Sequence, residues 1–203
     1  MKTCLVTGGA GFIGSNFILY MLQKHEDLRI LNVDALTYAG NLENLKAAER
    51  DKRHIFLQAD ITDLPRMKEI FQQNQIDWVV NFAAESHVDR SLLVPGIFAR
   101  TNVIGTLNLL GLAKGQWCAG NDTYRAGVKF LQASTDEVYG SPGEEGYFTE
   151  ETPLDPHSPY SASKAGADMF VKAYGDSFKL PVNITRCSNN YGPYQFPEKL
   201  FRL

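Results

Sequence analysis

The sequence predicts a doubly wound α/β fold, a parallel sheet with helices on both faces, and three observations carry the prediction. Short apolar runs of strand length alternate with stretches of helical spacing along the 203 residues, the pattern of βαβ units. The first run, inside KTCLVTGGAGFIGSNFILYML (2–22), breaks into spaced glycines and then resumes at helical spacing. The second run, Arg29 to Asp34, ends in an acid twenty residues past Gly14.

The first stretch reads as strand, tight turn, helix. Gly9-Ala10-Gly11-Phe12-Ile13-Gly14 fits G-x-G-x-x-G, and Gly8 adds a second register at 8, 11 and 14. Such a turn needs positive φ, a bare backbone that a pyrophosphate can approach, and helix-to-strand packing without a Cβ. The following helix, with Phe12, Ile13, Phe17, Ile18, Met21 and Leu22 as its apolar positions, would aim its unpaired N–H groups at the phosphates. Asp34 then stands where a dinucleotide fold puts the carboxylate that binds a ribose 2′-hydroxyl. A carboxylate there repels a 2′-phosphate, so the expected cofactor is NAD, not NADP.

Thr37 to Asn41 is a loop and Leu42 to Arg50 a short helix. His54 to Asp60 is a third strand, with Asp60 and Ile61 at its carboxyl end, where an acid reaches the adenine amino group or caps a turn. Asp63 is a helix N-cap, and the helix it starts carries Leu64, Met67, Ile70 and Phe71 inward. Asp77 to Ala84 is a fourth strand, whose small final residues, Ala83 among them, suit close approach to a cofactor. Ligands of such sheets bind at the carboxyl ends of strands. That directs attention to the loop Glu85 to Ser91, where Ser86 and His87 read as polar contacts. Pro95 opens a long helix to about Ala113 containing Asn102, either solvated or buried to fix a neighbour. Lys114 to Gly127 reads as a polar surface connector.

Val128 to Ser134 is a fifth strand running into Thr135-Asp136-Glu137, and residues 141 to 157 form a loop over the same sheet edge. Spacing alone leaves Asp136 and Glu137 as loop-surface acids. Tyr160 and Lys164 share one face of a helix that runs to about Phe178, started by Ser158-Pro159. A cation beside the phenol is expected to lower the tyrosine's pKa and make Tyr160 a base near neutral pH. Pro181 to Cys187 is a sixth strand, and Ser188 to Lys199 a polar, aromatic, proline-punctuated loop.

Composition narrows the function classes. The chain is 44% hydrophobic and 21% charged with net charge −3, so nothing basic is clustered for nucleic acid. No apolar run has bilayer length, and Met1-Lys2 leads straight into a strand, so no membrane association and a cytoplasmic location are expected. Cys4, Cys118 and Cys187 are too widely spaced for a zinc site and read as free thiols, with no metal expected.

TGGAGFIG at 7–14, Asp34, Asp60, the hydroxyl of Thr135 and Tyr160-x-x-x-Lys164 together resemble the extended short-chain dehydrogenase/reductase superfamily. YAGN (38–41), AAESHVDRS (83–91), STDEVYG (134–140), YSASKAGAD (160–168) and SNNYGPYQFPEKL (188–200) narrow the resemblance to nucleoside-diphosphate-glucose 4,6-dehydratases, nearest the dTDP-glucose enzymes. The resemblance implies NAD held by Gly8, Gly11, Phe12, Ile13, Gly14, Asp34, Asp60, Ile61, Ala83, Tyr160 and Lys164. It implies Tyr160 as the base at the C4 hydroxyl, Lys164 as its electrostatic partner, Thr135 as a hydrogen bond to the sugar, Glu137 as the C5 base and Asp136 as the acid that releases water. Two neighbouring carboxyls suit that division, because like charges push their pKa values apart. Both acids can reach one sugar only if the chain leaves strand geometry after Ser134, since consecutive strand side chains face opposite ways.

Nucleotide-sugar contacts are implied at Ser86, His87, Thr135, Asn190, Glu198 and Lys199, and a homodimer through the helices at 95–113 and 158–178. Members of the family continue beyond FPEKL. The expectation is therefore an NAD-binding Rossmann domain at 1–180, and at 181–203 the last strand region with the start of a substrate-binding portion, most of which is lacking. Two alternatives stay open: an NAD-binding fragment without turnover, and a UDP-glucose 4,6-dehydratase.

Overall fold

The computed structural model describes residues 1–120, 123–141 and 146–196. Six strands form one parallel sheet, β1 (Lys2–Thr7), β2 (Leu28–Asp34), β3 (His54–Gln58), β4 (Trp78–Asn81), β7 (Lys129–Thr135) and β8 (Val182–Cys187), in the order β3-β2-β1-β4-β7-β8. The remaining two, β5 (Cys118–Gly120) and β6 (Thr123–Tyr124), make a separate antiparallel pair. Between them run α1 (Phe12–Lys24), α2 (Leu64–Gln73), α3 (Val88–Leu93), α4 (Pro95–Phe98), α5 (Thr106–Trp117) and α6 (Pro159–Phe178).

The central strands are apolar on both faces because helices cover both. Cys4, Leu5 and Val6 of β1 are wholly buried. On one face Leu5, Leu31, Val79 and Phe130 pack with Met67, Ile70, Leu109 and Val171 from α2, α5 and α6; on the other, Cys4, Val6, Ile30 and Val80 pack with Ile18 and Leu22 of α1. The order in which strands are added to the sheet reverses between β1 and β4, so the carboxyl ends of these two parallel strands frame the crevice in which doubly wound sheets bind ligands.

Several boundaries differ from the sequence reading. Leu42–Ala48 is a 3-10 segment, and β4 ends at Asn81. The loop after β4 already contains α3, capped by His87, whose Nδ1 accepts from Arg90 N at 3.2 Å. The expected helix 95–113 is three pieces, α4, wide π-type turns at Ala99–Gly105, and α5, which continues to Trp117. Trp117 prolongs it because the indole is buried and donates to Ile76 O at 2.8 Å, an anchor the polar sequence around it hides. The expected surface connector holds the β5–β6 pair instead of irregular chain alone. Helix α6 starts as its residues predict, with Ser158 and Ser161 capping each other reciprocally and Pro159 in the first turn. β8 pairs along its length with β7, so the sheet runs through Cys187.

Candidate active site

At the carboxyl edge of the sheet lies a cavity of about 590 Å³. Its floor is the glycine turn. Gly8 has φ +69°, and a Cβ there would sit 2.6 Å from Ala83 N, so β1 and β4 come together only over a glycine. A Cβ on Gly14 would meet Gly8 O and lie 2.7 Å from Gly9 Cα, which ties α1 to the turn. Gly11 differs: its nearest neighbour would be Gly8 O at 3.3 Å, and it lines the cavity, so a side chain there would enter the open space. Gly11 is also the N-cap of α1, so no side chain caps the first turn.

Gly8, Gly11, Phe12, Ile13, Gly14, Asp34, Asp60, Ile61, Ala83, Ser86, Tyr160 and Lys164 all line this one cavity. Phe12 and Ile13, spaced as core residues, face it because the first turn of α1 projects past the sheet edge; the buried positions are Gly14, Ser15, Ile18 and Leu22. Asp34 accepts from Ala10 N at 2.9 Å and Leu36 N at 2.8 Å, locking the glycine turn to the end of β2. A carboxylate has about four acceptor sites, so two N–H bonds leave capacity for ribose hydroxyls. Asp60 accepts from Thr62 N at 2.8 Å, and Ile61 is fixed by Asn108 Nδ2 on its carbonyl at 3.0 Å.

The far end of the cavity is lined by Tyr160 and Lys164 of α6 and by Ala133 and Ser134 of β7. The chain leaves strand geometry after Thr135, and Asp136–Tyr139 is a single 3-10 turn with Thr135 Oγ1 accepting from Glu137 N at 3.2 Å. Thr135, Asp136 and Glu137 do not line the cavity with the cofactor residues but stand around Tyr160. Tyr160 is 8% exposed, edge-on to Phe98 at 6.4 Å. Lys164 is 4% exposed and donates to Ala133 O at 2.6 Å.

The expected lowering of the Tyr160 pKa is overturned here. Burial, then the charge of Glu137, push the phenol well above its ordinary value, while a hydrogen bond with Thr135 pulls the other way. The physical reason is the setting: a phenolate would be desolvated beside acidic residues while Lys164 is engaged with a backbone carbonyl.

A buried clamp supports the loop after β4. Asn102, in the π-type turns, is 1% exposed; Oδ1 accepts from Glu85 N at 2.9 Å, and Nδ2 donates to Glu85 O at 3.0 Å and Ser163 Oγ at 2.8 Å. Ser163 Oγ in turn donates to Tyr160 O at 2.7 Å. The clamp therefore joins the cavity wall to the helix carrying Tyr160.

Above the cavity Tyr38 meets three neighbours: Ser86 at 3.4 Å, the Arg90 guanidinium 5.2 Å from its ring centre, and Phe196 edge-on at 5.8 Å. Tyr38, Glu85, Arg100, Thr101 and Phe196 line the cavity without having been singled out as contacts in the sequence. Tyr38 sits in the YAGN segment and Glu85 in AAESHVDRS, where the signal was available; Arg100 and Thr101 are brought in only by the broken helix. Of the expected sugar-nucleotide contacts, Ser86 lines the cavity, whereas His87 and Asn190 do not. Asn190 is exposed and donates to Cys187 Sγ at 3.2 Å and Ser188 O at 3.3 Å. Glu198 and Lys199 lie outside the described residues.

A bare glycine turn, a strand-end carboxylate and a Tyr-x-x-x-Lys helix on one edge of a doubly wound sheet define a Rossmann protein of short-chain dehydrogenase/reductase layout. Within that class the comparisons are specific. The chain belongs to the GDP-mannose 4,6 dehydratase family, whose sequence pattern matches residues 5–203. It is 55% identical over all 203 residues to a dTDP-glucose 4,6-dehydratase of Xanthomonas campestris pv. campestris (strain B100) and 48% identical to one of Neisseria gonorrhoeae, covering 57% and 58% of those proteins. The chain thus spans a little over half the length of the curated relatives it matches. Among solved structures, it superposes on the dTDP-glucose 4,6-dehydratase of Bacillus anthracis in complex with NAD with a TM-score of 0.86 at 50% identity, over 98% of this chain and 59% of that one. A UDP-glucose 4-epimerase from Thermotoga maritima gives a TM-score of 0.83 at 31% identity, over 97% of this chain and 58% of that one.

Proposed function

We propose that this chain carries the cofactor site and the reacting side chains of a dTDP-glucose 4,6-dehydratase. One observation carries the reading: Asp136 and Glu137 stand on a single turn beside Tyr160, which itself lines the cavity that the glycine turn opens. An epimerase layout accounts for the glycines and the Tyr-x-x-x-Lys helix but leaves that acid pair without a task. The 55% identity to a dTDP-glucose enzyme supports the same nucleotide, and nothing favours UDP over it.

The cavity fits NAD. Gly8, Gly11 and Gly14 leave room for a pyrophosphate, Asp34 for the adenosine ribose, Asp60 and Ile61 for the adenine, and Tyr160 and Lys164 for the nicotinamide end. When bound, NAD would supply the hydride acceptor at C4 of the sugar and return that hydride at C6, with Glu137 giving its proton back to C5. Tyr160 takes the C4 hydroxyl proton, and Lys164 stabilises the phenolate once the site is filled. With C4 a ketone, the C5 hydrogen is acidic: Glu137 removes that proton, the C5 electron pair forms the C5–C6 double bond, and the C6 hydroxyl leaves as water with a proton from Asp136. Thr135 holds the sugar oxygen through its hydroxyl. Ser86 and Asn190, with His87, Glu198 and Lys199, are the proposed contacts to the nucleotide sugar.

A homodimer belongs to the same proposal. Leu92, Leu93, Ile104, Met169 and Phe170 stand exposed on the α3-to-α5 segment and α6, which pack on each other. Sedimentation equilibrium tests it, and a monomer at all concentrations refutes it. A cytoplasmic location is part of the reading and is tested by cell fractionation; among the described residues no helix is long and apolar enough to cross a membrane.

The deciding experiment is incubation with dTDP-glucose and NAD, followed by mass spectrometry. A sugar nucleotide lighter by one water is expected. NAD binding with no such product would leave the chain as a binding module instead.

A further inference from the structure

Arg186 lies on β8 directly across from Ser134, two residues before the acid-bearing turn begins at Asp136. Its guanidinium does two things at once. Nε donates to Oδ2 of Asp168 at 2.8 Å, and Nη1 donates to the Tyr139 hydroxyl at 2.8 Å, with the cation 5.0 Å from the centre of the Tyr139 ring. Asp168 is wholly buried on α6, two turns beyond Tyr160 and one beyond Lys164, on the same helix face. Tyr139 is the last residue of the turn that carries Asp136 and Glu137, and its ring stacks on Phe148 at 5.0 Å.

We infer that Arg186 is a positioning residue: it braces the turn bearing Asp136 and Glu137 against the helix bearing Tyr160 and Lys164, and so sets the distance between the elimination acids and the oxidation base. The inference rests on the proposed dehydratase reading for its function and on geometry alone for the brace. A planar guanidinium suits the task because it presents N–H groups in fixed directions to two acceptors, which a lysine ammonium on a flexible stem does not. Two backbone anchors hold the carboxyl end of the turn. Asp155 N donates to Val138 O at 3.0 Å, and Gly140, at φ +84°, lets Asp155 O pass closely, 2.6 Å from where a Cβ would be. Neither of these refers the turn to α6; Val138 and Tyr139 pack on Ala165 of that helix, a non-directional apolar contact, and a directional hydrogen-bonded link is still needed to fix the spacing. Arg186 provides it.

The test uses Tyr139→Phe, which removes the hydroxyl but leaves the ring on Phe148 and the Arg186–Asp168 pair in place, so folding is retained. Arg186→Lys is the second variant, keeping a charge beside Asp168 without the two-way reach. Backbone hydrogen exchange on the whole chain is the first measurement. Peptides over 135–141 are expected to exchange about ten-fold faster in both variants, the equilibrium equivalent of one hydrogen bond to a charged group, with 160–170 unchanged. Unchanged exchange in the turn, or equal acceleration in turn and helix, overturns the brace.

The second measurement follows NADH absorbance and water loss with dTDP-glucose and NAD. C4 oxidation is expected at the parent rate and water loss about ten-fold slower; equal slowing of both, or of neither, overturns the positioning role. If the parent chain itself gives neither signal, the dehydratase reading fails, while the exchange measurement still decides the brace.

Discussion

Asn102→Leu removes a clamp at known cost. The leucine is close to isosteric and keeps the site filled, but Glu85 N–H and Glu85 C=O lose the partners they have at 2.9 and 3.0 Å. Each buried peptide group left unsatisfied costs about 1–3 kcal/mol, so the pair costs about 2–6 kcal/mol. The added apolar burial of leucine returns about 1 kcal/mol. The net is about 3 kcal/mol, which at a urea slope of about 2 kcal/mol per molar lowers the unfolding midpoint by about 1.5 M. Ser163→Ala is the control: it leaves both bonds to the Glu85 peptide in place and loses two neutral bonds, one from Asn102 and one to Tyr160 O, at about 1 kcal/mol each. Urea denaturation followed by circular dichroism measures both. Because Glu85 and Ser86 line the cavity, NAD affinity measured by calorimetry should also fall in Asn102→Leu. A loss below about 1 kcal/mol, or a Ser163→Ala effect equal to that of Asn102→Leu, would show that the clamp does not act through the Glu85 peptide.

Three further outcomes are expected. Gly14→Ala places a Cβ against Gly8 O and Gly9 Cα, backbone atoms that cannot swing away, so NAD binding measured by fluorescence should be lost while Gly96→Ala, where a Cβ meets nothing, binds as the parent does. The Cys4 thiol is pushed up by burial to about 12, whereas Cys118 and Cys187 are exposed. A disulfide-exchange reagent at pH 8 should therefore titrate two thiols in the folded chain and three in denaturant; three at once would contradict the burial of Cys4. His54 is held below its ordinary pKa, chiefly by burial, so as pH falls below the unfolded value near 6.5 the unfolded chain takes up the proton first and stability is lost. His54→Gln should flatten that part of the stability–pH curve, and an unchanged slope would remove His54 as its cause.

Much of this arrangement could be read from the residues. Strands β1 and β2 announce themselves because burial on both faces demands short, mostly apolar runs. The glycine turn and Asp34 are legible because few other patterns satisfy positive φ, close backbone approach and a strand-end acid together. What is hidden depends on contacts distant in sequence. Nothing near Pro95 reveals that the helix gives way to π-type turns where Asn102 swings inward to a peptide seventeen residues earlier. Tyr160 and Lys164 advertise a lowered phenol pKa by proximity, yet burial in the folded chain outweighs that, and the acid that adds to it, Glu137, lies on another element. Phe12 and Ile13 carry a core pattern but border the cavity, because periodicity records which residues share a helix side, not where the sheet beneath them ends.

The meeting of Gly8 with Ala83 has a consequence for cooperativity. One half of the sheet, β1 to β3, supplies the glycine turn, Asp34 and Asp60; the other, β4 to β8 with α6, supplies Ala83, Tyr160 and Lys164. A ligand that fills the cavity touches both halves, so neither half can open locally without first releasing it. Each half then inherits the ligand's binding free energy as protection, and two regions with separate opening equilibria in the empty chain merge into one folding unit when the site is filled.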